Sequence, residues 1–359
     1  MLDFTSALYL GLLHPSPSLR PWSALTTGKP AALEPLPGGT AIAHALAKLQ
    51  GCESAVLLPS TLHLFWDLFG WLARDKVSIY MDDSSYAIAR WGVERAAARG
   101  VPVRRMPHHD PSAALHLIRV DSRAGRRPVI VADGFCPSCG SPAPISQYLQ
   151  SVRPFGGTLV LDDTQALGIF GEAPAEDAPF GTGGGGSLRR QDVGGVDLIL
   201  GSSLAKGFGV PLAVLSGAAS MIRRFELESE TRVHTSPPSA AVLHAAERAL
   251  AVNRSRGDGL RHRLAQLVER FRRHPQPLGL GVAGSLFPVQ TLRPSTTLNA
   301  VTLNDRLLRL GVRAVVHRSC SGAGARLSFL ITTRHRPDDI DQLNAALDQA
   351  TSLEPGRMQ

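Results

Sequence analysis

Between residues 41 and 217 the chain alternates short apolar runs with longer stretches in which apolar residues recur every three to four positions. The runs are Ala55-Val-Leu-Leu58, Val77-Ser-Ile-Tyr80, Pro128-Val-Ile-Val-Ala132, Gly157-Thr-Leu-Val-Leu161, Leu198-Ile-Leu200 and Ala213-Val-Leu-Ser216. Strands that are apolar throughout need cover on both faces, so these runs predict a mostly parallel sheet flanked by helices. The periodic stretches predict helices over Ala41–Leu49, Leu62–Arg74 and Ala87–Arg99. From about Ser239 the pattern changes to one long helical stretch through Arg273, strands at Val312–Val316 and Leu327–Thr332, and a closing helix over Pro337–Ala350. The expected fold class is therefore α/β, with a large domain over 41–238 and a smaller α+β domain over 239–359. The first forty residues, rich in Pro and Gly and ending at Glu34-Pro-Leu-Pro-Gly-Gly-Thr40, read as an extended arm of the smaller domain. Gly181–Gly195, which includes Gly183-Gly-Gly-Gly186, reads as a mobile surface loop with too little apolar surface to offset its ordering entropy.

Composition narrows the classes of function. The 359 residues carry a net charge of +8, which raises the question of nucleic acid. The basic residues are scattered pairs, such as Arg104-Arg105, Arg126-Arg127 and Arg223-Arg224, without a long run or interleaved aromatic rings. Solvated helix faces account for them, and no nucleic-acid partner is expected. No stretch has the roughly 18 to 20 apolar residues of a membrane span, and Met1-Leu-Asp-Phe-Thr5 lacks the features of a signal peptide, so the cytoplasm is the expected location. Cys136-Pro-Ser-Cys139 has the spacing shared by zinc sites and redox dithiols, but no second ligand pair stands nearby in sequence. No metal is expected; these thiols, with Cys52 and Cys320, read as buried or incidental in a reducing compartment.

Two motifs carry chemistry. The chain has only four lysines, and Lys206 is set in Gly201-Ser-Ser-Leu-Ala-Lys206-Gly-Phe-Gly-Val210, just after an apolar strand. The small residues allow close backbone approach to a ligand, and the hydroxyl of Ser202 or Ser203 can bind a phosphate. A lysine desolvated there has a lowered pKa and can form an imine with an aldehyde; the plainer reading is a surface lysine in a turn. The second motif is Thr158-Leu-Val-Leu-Asp162-Asp163-Thr-Gln165, an apolar strand ending in carboxylates at the edge where open α/β sheets bind ligands. Asp162 is the candidate partner for the ring nitrogen of pyridoxal 5′-phosphate (PLP), whose protonation makes the ring an electron sink. Asp163 reads as a structural acceptor at the turn.

With these motifs and three more, the sequence resembles the α-oxoamine synthases, the group that contains amino-oxononanoate synthase, aminolevulinate synthase and glycine C-acetyltransferase. Leu2-Asp-Phe-Thr-Ser-Ala-Leu-Tyr-Leu-Gly-Leu12 is similar to the family's F-x-S-N-D-Y-L-G-L, and Asp133-Gly-Phe-Cys-Pro-Ser-Cys-Gly-Ser-Pro-Ala-Pro-Ile145 to E-G-V-F-S-M-D-G-D-x-A-P-L. Asp162-Asp-Thr-Gln-Ala-Leu-Gly168 resembles D-D-A-H-G-x-G, the Lys206 motif T-F-(G/S)-K-(G/A)-F-G, and His234-Thr-Ser-Pro-Pro238 S-T-S-x-P-P. The resemblance implies a fold-type I PLP-dependent transferase with Lys206 as the Schiff-base lysine and Asp162 as the pyridinium partner. It further implies phosphate binding by Ser203 and by the turn at Ser60, Thr61 and Leu62, which leads into a helix. Asp133, Tyr86 and Gln165 fall at cofactor-binding positions. Thr235 or Ser236 would reach the phosphate from a partner subunit, which implies a homodimer with composite sites.

The departures from the family pattern matter as much. Tyr86 stands where the family has a ring-stacking His; it can stack but cannot do acid–base work near neutral pH. Gln165 replaces a second His, and the phosphate turn has Thr61 for Gly. The family's R-(L/I)-R reads Arg326-Leu-Ser328, so the Arg that binds the substrate carboxylate is missing, and Arg326 lies roughly 6.5 Å away on the same strand face. The leading expectation is a PLP-dependent acyltransferase that condenses an amino acid with an acyl thioester, with decarboxylation. Alternatives are a PLP-dependent aminotransferase, lyase or aldolase, and a non-catalytic partner subunit of the same fold.

Overall fold

In a computed structural model, which describes residues 1–35, 37–274, 281–293, 299–318 and 324–352, a seven-stranded sheet organises the first two thirds of the chain. Across the sheet the strands run Ser54–Leu58, Ala213–Gly217, Leu198–Ser203, Thr158–Asp162, Arg127–Asp133, Val77–Asp82 and Val103–Met106. All neighbours pair in parallel except Ala213–Gly217, which is antiparallel to both strands beside it. The cover follows from the period of two along each strand. Val129, Val131, Val160 and Ile199 pack with Phe65 and Phe69 of the helix Thr61–Leu72 and with Val93 of the helix Ala87–Ala98. Ile130, Ala132, Leu159, Leu161 and Leu200 point the other way, onto the helices Pro111–Asp121 and Ile145–Val152. Each fully buried Phe or Ile stabilises the fold by roughly 1.5–3 kcal/mol, which is why strands this apolar need both layers.

Three of these elements left a weak trace in the sequence. Val103-Arg-Arg-Met106 is an edge strand with both arginines exposed, so it has no apolar run. The helix Pro111–Asp121 starts on Asp110, whose carboxylate accepts from Ala113 N at 2.9 Å, with Pro111 in the first turn where its missing N–H does no harm. The third is the eight-residue helix Ile145–Val152.

The glycine-rich segment departs from expectation in another way. Gly184, Gly185, Gly186 and Ser187 are buried, and a short helix, Ser187–Gln191, follows them. Gly168 N donates to Gly184 O at 2.8 Å and Gly186 N to Phe170 O at 2.8 Å. Gly186 has φ 92°, and a Cβ there would collide with Asp163 Oδ2. The glycines therefore serve close packing beneath the sheet edge rather than a surface loop.

The rest of the chain packs on the 34-residue helix Ala240–Arg273. A four-stranded antiparallel sheet of Val282–Ala283, Val289–Leu292, Ala325–Leu330 and Val315–Arg318 lies with the helices Ala300–Arg309 and Pro337–Ser352 in one continuous core with it. Buried Arg261 ties the long helix to the large sheet's turns by donating to Gly168 O at 3.0 Å, and it is held within its helix by donating to Asn253 Oδ1 at 2.9 Å. The arm joins this part: Leu2–Asp3 pairs in parallel with Val312–Arg313, and Thr333 N donates to Tyr9 O at 3.0 Å. Among the described residues no helix is long and apolar enough to cross a membrane. Cys320 lies outside them.

Candidate active site

Parallel register sets the site. Asp133, Asp162 and Gly201 stand side by side at the carboxyl ends of adjacent strands, the position where open α/β sheets present ligand-binding groups. Lys206 follows its strand by three residues; its side chain is half-buried and sits within the fields of both carboxylates. Burial pulls the Lys206 amine below its ordinary value, and the charges of Asp162 and Asp133 pull it back up. Burial raises both carboxyls, Asp133 well above the carboxylate range because the Asp162 charge adds to it. Tyr86 completes the cluster: its N–H donates to Asp133 Oδ1 at 3.1 Å, and the Lys206 Nζ lies 5.8 Å from its ring centroid.

The phosphate side can be traced along the same edge. Leu58 and Ser203 both pair with Ala213, so the turn at Ser60 and the residues before Lys206 lie about two strand spacings, or roughly 10 Å, apart. Ser60 caps the helix Thr61–Leu72, accepting from His63 N at 3.4 Å, which leaves the N–H groups of Thr61 and Leu62 at its open end. Ser203 N donates to Thr164 Oγ1 at 2.9 Å, and Thr164 N donates to Asp162 Oδ1 at 3.0 Å, so one chain of bonds fixes both ends of the site. The two serines offered by sequence are resolved: Ser202 is buried beside Gln50 Nε2 at 3.0 Å, whereas the Ser203 hydroxyl is part-exposed and accepts from Ala205 N at 3.2 Å.

Gln165 receives a partner that the sequence reading missed. The Tyr9 hydroxyl, buried with its ring in the arm, donates to Gln165 Oε1 at 2.8 Å. That bond orients the amide so that its NH2 faces away from Tyr9, free to donate. The only sequence signal for Tyr9 was its place in the opening motif. Asp163 is fully buried: Oδ2 accepts from Ser187 N at 3.0 Å, Oδ1 has no partner among the described residues, and burial lifts the carboxyl to about 7.

The remaining candidates engage other partners. Thr235 Oγ1 donates to Thr231 O at 2.7 Å, Thr235 O accepts from Ala31 N at 2.9 Å, and Ser236 is exposed. Buried Asp67 fixes this segment, accepting from Thr231 Oγ1 at 2.9 Å, from Glu230 N at 3.1 Å and from the Ser229 hydroxyl. Arg326 is partly buried and pairs across the small sheet with His317. Ser328, at the position of the missing Arg, bonds with Thr291 Oγ1 at 2.7 Å and with His317 Nε2 at 2.8 Å.

The 8-amino-7-oxononanoate synthase of Citrobacter koseri is 29% identical over 360 residues, covering 97% of this chain and 89% of the relative. That of Sodalis glossinidius is 29% identical over 358 residues, covering 97% and 88%. The chain is a homologue of the α-oxoamine synthases. Solved structures agree on the fold: serine palmitoyltransferase from S. paucimobilis matches with a TM-score of 0.81 at 15% identity, covering 97% of this chain and 86% of that one. The 8-amino-7-oxononanoate synthase of Francisella tularensis matches with a TM-score of 0.74 at 19% identity, covering 98% and 97%. The fold is that of the fold-type I PLP-dependent transferases. No family model matches the sequence.

Proposed function

We propose that this α-oxoamine synthase homologue is a PLP-dependent acyltransferase that condenses an amino acid with an acyl thioester, releasing the thiol and, on decarboxylation, carbon dioxide. The observation that carries the reading is the half-buried Lys206 amine within the fields of buried Asp162 and half-buried Asp133, beside the Tyr86 ring. These residues fit PLP: a lysine of lowered pKa for the aldehyde, a buried acid for the ring nitrogen, and free N–H groups with a serine hydroxyl for the phosphate. When bound, PLP supplies a covalent anchor for the amine and a ring that takes up electrons from a broken bond at Cα.

The protein supplies the rest. Asp162 would hold a proton on the ring nitrogen, in a pair that its burial strengthens. Tyr86 would cover one face of the ring, and its N–H donates to Asp133. Gln165, whose amide oxygen accepts from Tyr9, would offer its NH2 to the phenolic oxygen. Ser203 and the N–H groups of Thr61 and Leu62 would bind the phosphate. The Lys206 amine would serve as the base and acid at the substrate Cα. With a phenol at 86 and an amide at 165 where the resemblance expects imidazoles, that proton traffic would fall to Lys206 among these residues.

A homodimer with composite sites belongs to this reading. Tyr86 is 56% exposed and Leu62 45% exposed, so one chain leaves the face of its own site open. Thr235 and Ser236 of a second copy would close it. The division into an arm over 1–40, a cofactor-binding domain over 41–238 and a small domain over 239–359, with Arg326 as a substrate contact, is part of the same proposal, as is a cytoplasmic location.

Holoenzyme incubated with a panel of amino acids and acyl-coenzyme A esters should release free thiol, and Lys206→Ala should abolish both the release and the yellow colour of bound PLP. Failure of every pair to release thiol overturns acyl transfer. Ser328 in place of the carboxylate-binding Arg favours a second reading, an aminotransferase or lyase, which a keto product without thiol release would identify.

A further inference from the structure

The sequence supplied a Cys-x-x-Cys pair with no second ligand pair near it, and the fold brings one. The turn after Val103–Met106 carries His108 and His109 to the loop after Arg127–Asp133. A ring nitrogen of each histidine and the Cys139 thiol lie within 4.8 Å of one another. His108 Nε2 is 3.3 Å from Cys139 Sγ. A tetrahedral zinc ion bound at about 2.0–2.1 Å by nitrogen and about 2.3 Å by sulfur separates such ligands by roughly 3.5 Å. The observed spacing needs little adjustment.

Three further features fit a metal centre. His108 Nδ1 is held by Asp82 Oδ1 at 2.8 Å, the outer carboxylate that fixes the ring and aims the other nitrogen at a metal. His109 Nε2 is buried without a hydrogen-bond partner among the described residues. His109 also has φ 54°, an uncommon conformation for a residue with a Cβ, and its N–H is fixed to Asp82 Oδ2 at 2.9 Å. Both thiols stand where the family pattern has other residues.

We propose that His108, His109 and Cys139 form a binding site for a borderline-soft divalent cation, zinc being best suited, with the Cys136 thiol of the same loop on hand as a fourth donor. The site is structural. It ties together the ends of Val77–Asp82, Val103–Met106 and Arg127–Asp133, and its outer partner Asp82 stands one strand from Asp133 and four residues before Tyr86. The Cys136–Cys139 loop is also joined to the small domain, where Ser285 Oγ donates to Gly140 O at 2.7 Å. A metal here would thus brace the wall of the cofactor pocket while lying outside the proposed catalytic machinery.

The test uses tag-free, reduced holoenzyme, dialysed against chelator and titrated with zinc and, separately, with cobalt(II). Wild-type protein should take up one zinc per chain, and cobalt should give the visible bands of a tetrahedral thiolate complex. His109→Asn keeps a residue that tolerates positive φ, and Cys139→Ser keeps the shape of the side chain. Since outer partners alone are typically worth 10–100-fold in affinity, each variant should bind zinc at least about tenfold more weakly. Circular dichroism and bound PLP confirm that each variant folds. Zinc uptake by wild-type protein no greater than by the double variant, or cobalt spectra identical in wild type and Cys139→Ser, overturns the site. Neither result bears on acyl transfer, which is measured by thiol release.

Discussion

Asp163 offers a clean test of how burial shapes the site. Its carboxyl is fully buried, has one filled oxygen and one without a described partner, and is lifted from 3.8 to about 7, first by burial and further by the Asp162 charge. An acid whose folded pKa is raised binds its proton more tightly in the native state than in the unfolded chain. Stability from this group is therefore full below about pH 4 and declines as pH rises, with the loss complete above about pH 7. At about 1.4 kcal/mol per unit, the deficit amounts to roughly 4 kcal/mol at pH 8. Asp163→Asn cannot ionise and can still accept from Ser187 N through its amide oxygen. Lys206, Asp133 and the other titrating groups are common to both proteins, so much of their pH dependence cancels in the difference. Urea denaturation of apoprotein at pH 5 and pH 8 should show the variant gaining on wild type by a few kcal/mol between those values. A difference that stays constant across that interval would mean Asp163 does not titrate there, and that its burial is compensated by contacts the geometry does not show.

Three other outcomes follow from the same contacts. Tyr9→Phe and Gln165→Ala should each loosen PLP, and the double variant should lose less than their sum, with a coupling of about 0.5–3 kcal/mol in PLP titrations; strict additivity would mean that Tyr9 does not position the amide. Tyr86→Ala should weaken PLP by roughly 0.5–1.5 kcal/mol, read by cofactor dissociation, and unchanged affinity would remove the ring from the pocket wall. Truncating Asp67 to Ala leaves Thr231, Glu230 and Ser229 without their shared acceptor, so the melting temperature should fall and the proposed dimer should weaken in sedimentation; an unaltered dimer would separate the 229–236 segment from the interface.

What could be read from the chain alone depended on whether the signal was local. The central strands were legible because burial on both faces leaves continuous apolar runs such as Pro128-Val-Ile-Val-Ala132. Val103–Met106 was not, because an edge strand can carry Arg104 and Arg105 outward. Lys206 and Asp162 stood out because each ends or follows an apolar strand amid small residues. The glycines at 183–186 misled because composition cannot tell glycine kept for freedom from glycine kept for close approach; only the buried contacts around Gly184 and Gly186 decide it. Tyr9 with Gln165, and His108 with Cys139, are 156 and 31 residues apart in sequence, and no spacing rule reaches across such gaps.

The substrate side turns on a charge that has moved. At position 328 a buried hydroxyl bonded to Thr291 and His317 stands where the resemblance expects a guanidinium, and such a group offers no full charge to a carboxylate. Arg326 lies on the same strand face and pairs with His317, so these two residues flank the vacated position. A charge-assisted bond to a carboxylate is worth about 1.5–3 kcal/mol, or roughly 10- to 150-fold in an equilibrium. If Arg326 takes over the missing role, Arg326→Gln should raise KM for the amino acid within that range and leave KM for the acyl thioester unchanged. His317→Gln should then have a small effect, since it can still bond Ser328. The reverse outcome, with KM insensitive at 326 and sensitive at 317, would make the histidine the anchor. Insensitivity at both positions would point to a substrate whose carboxylate is not bound in this sheet at all, and therefore to a chemistry departing further from the relatives than acyl transfer requires.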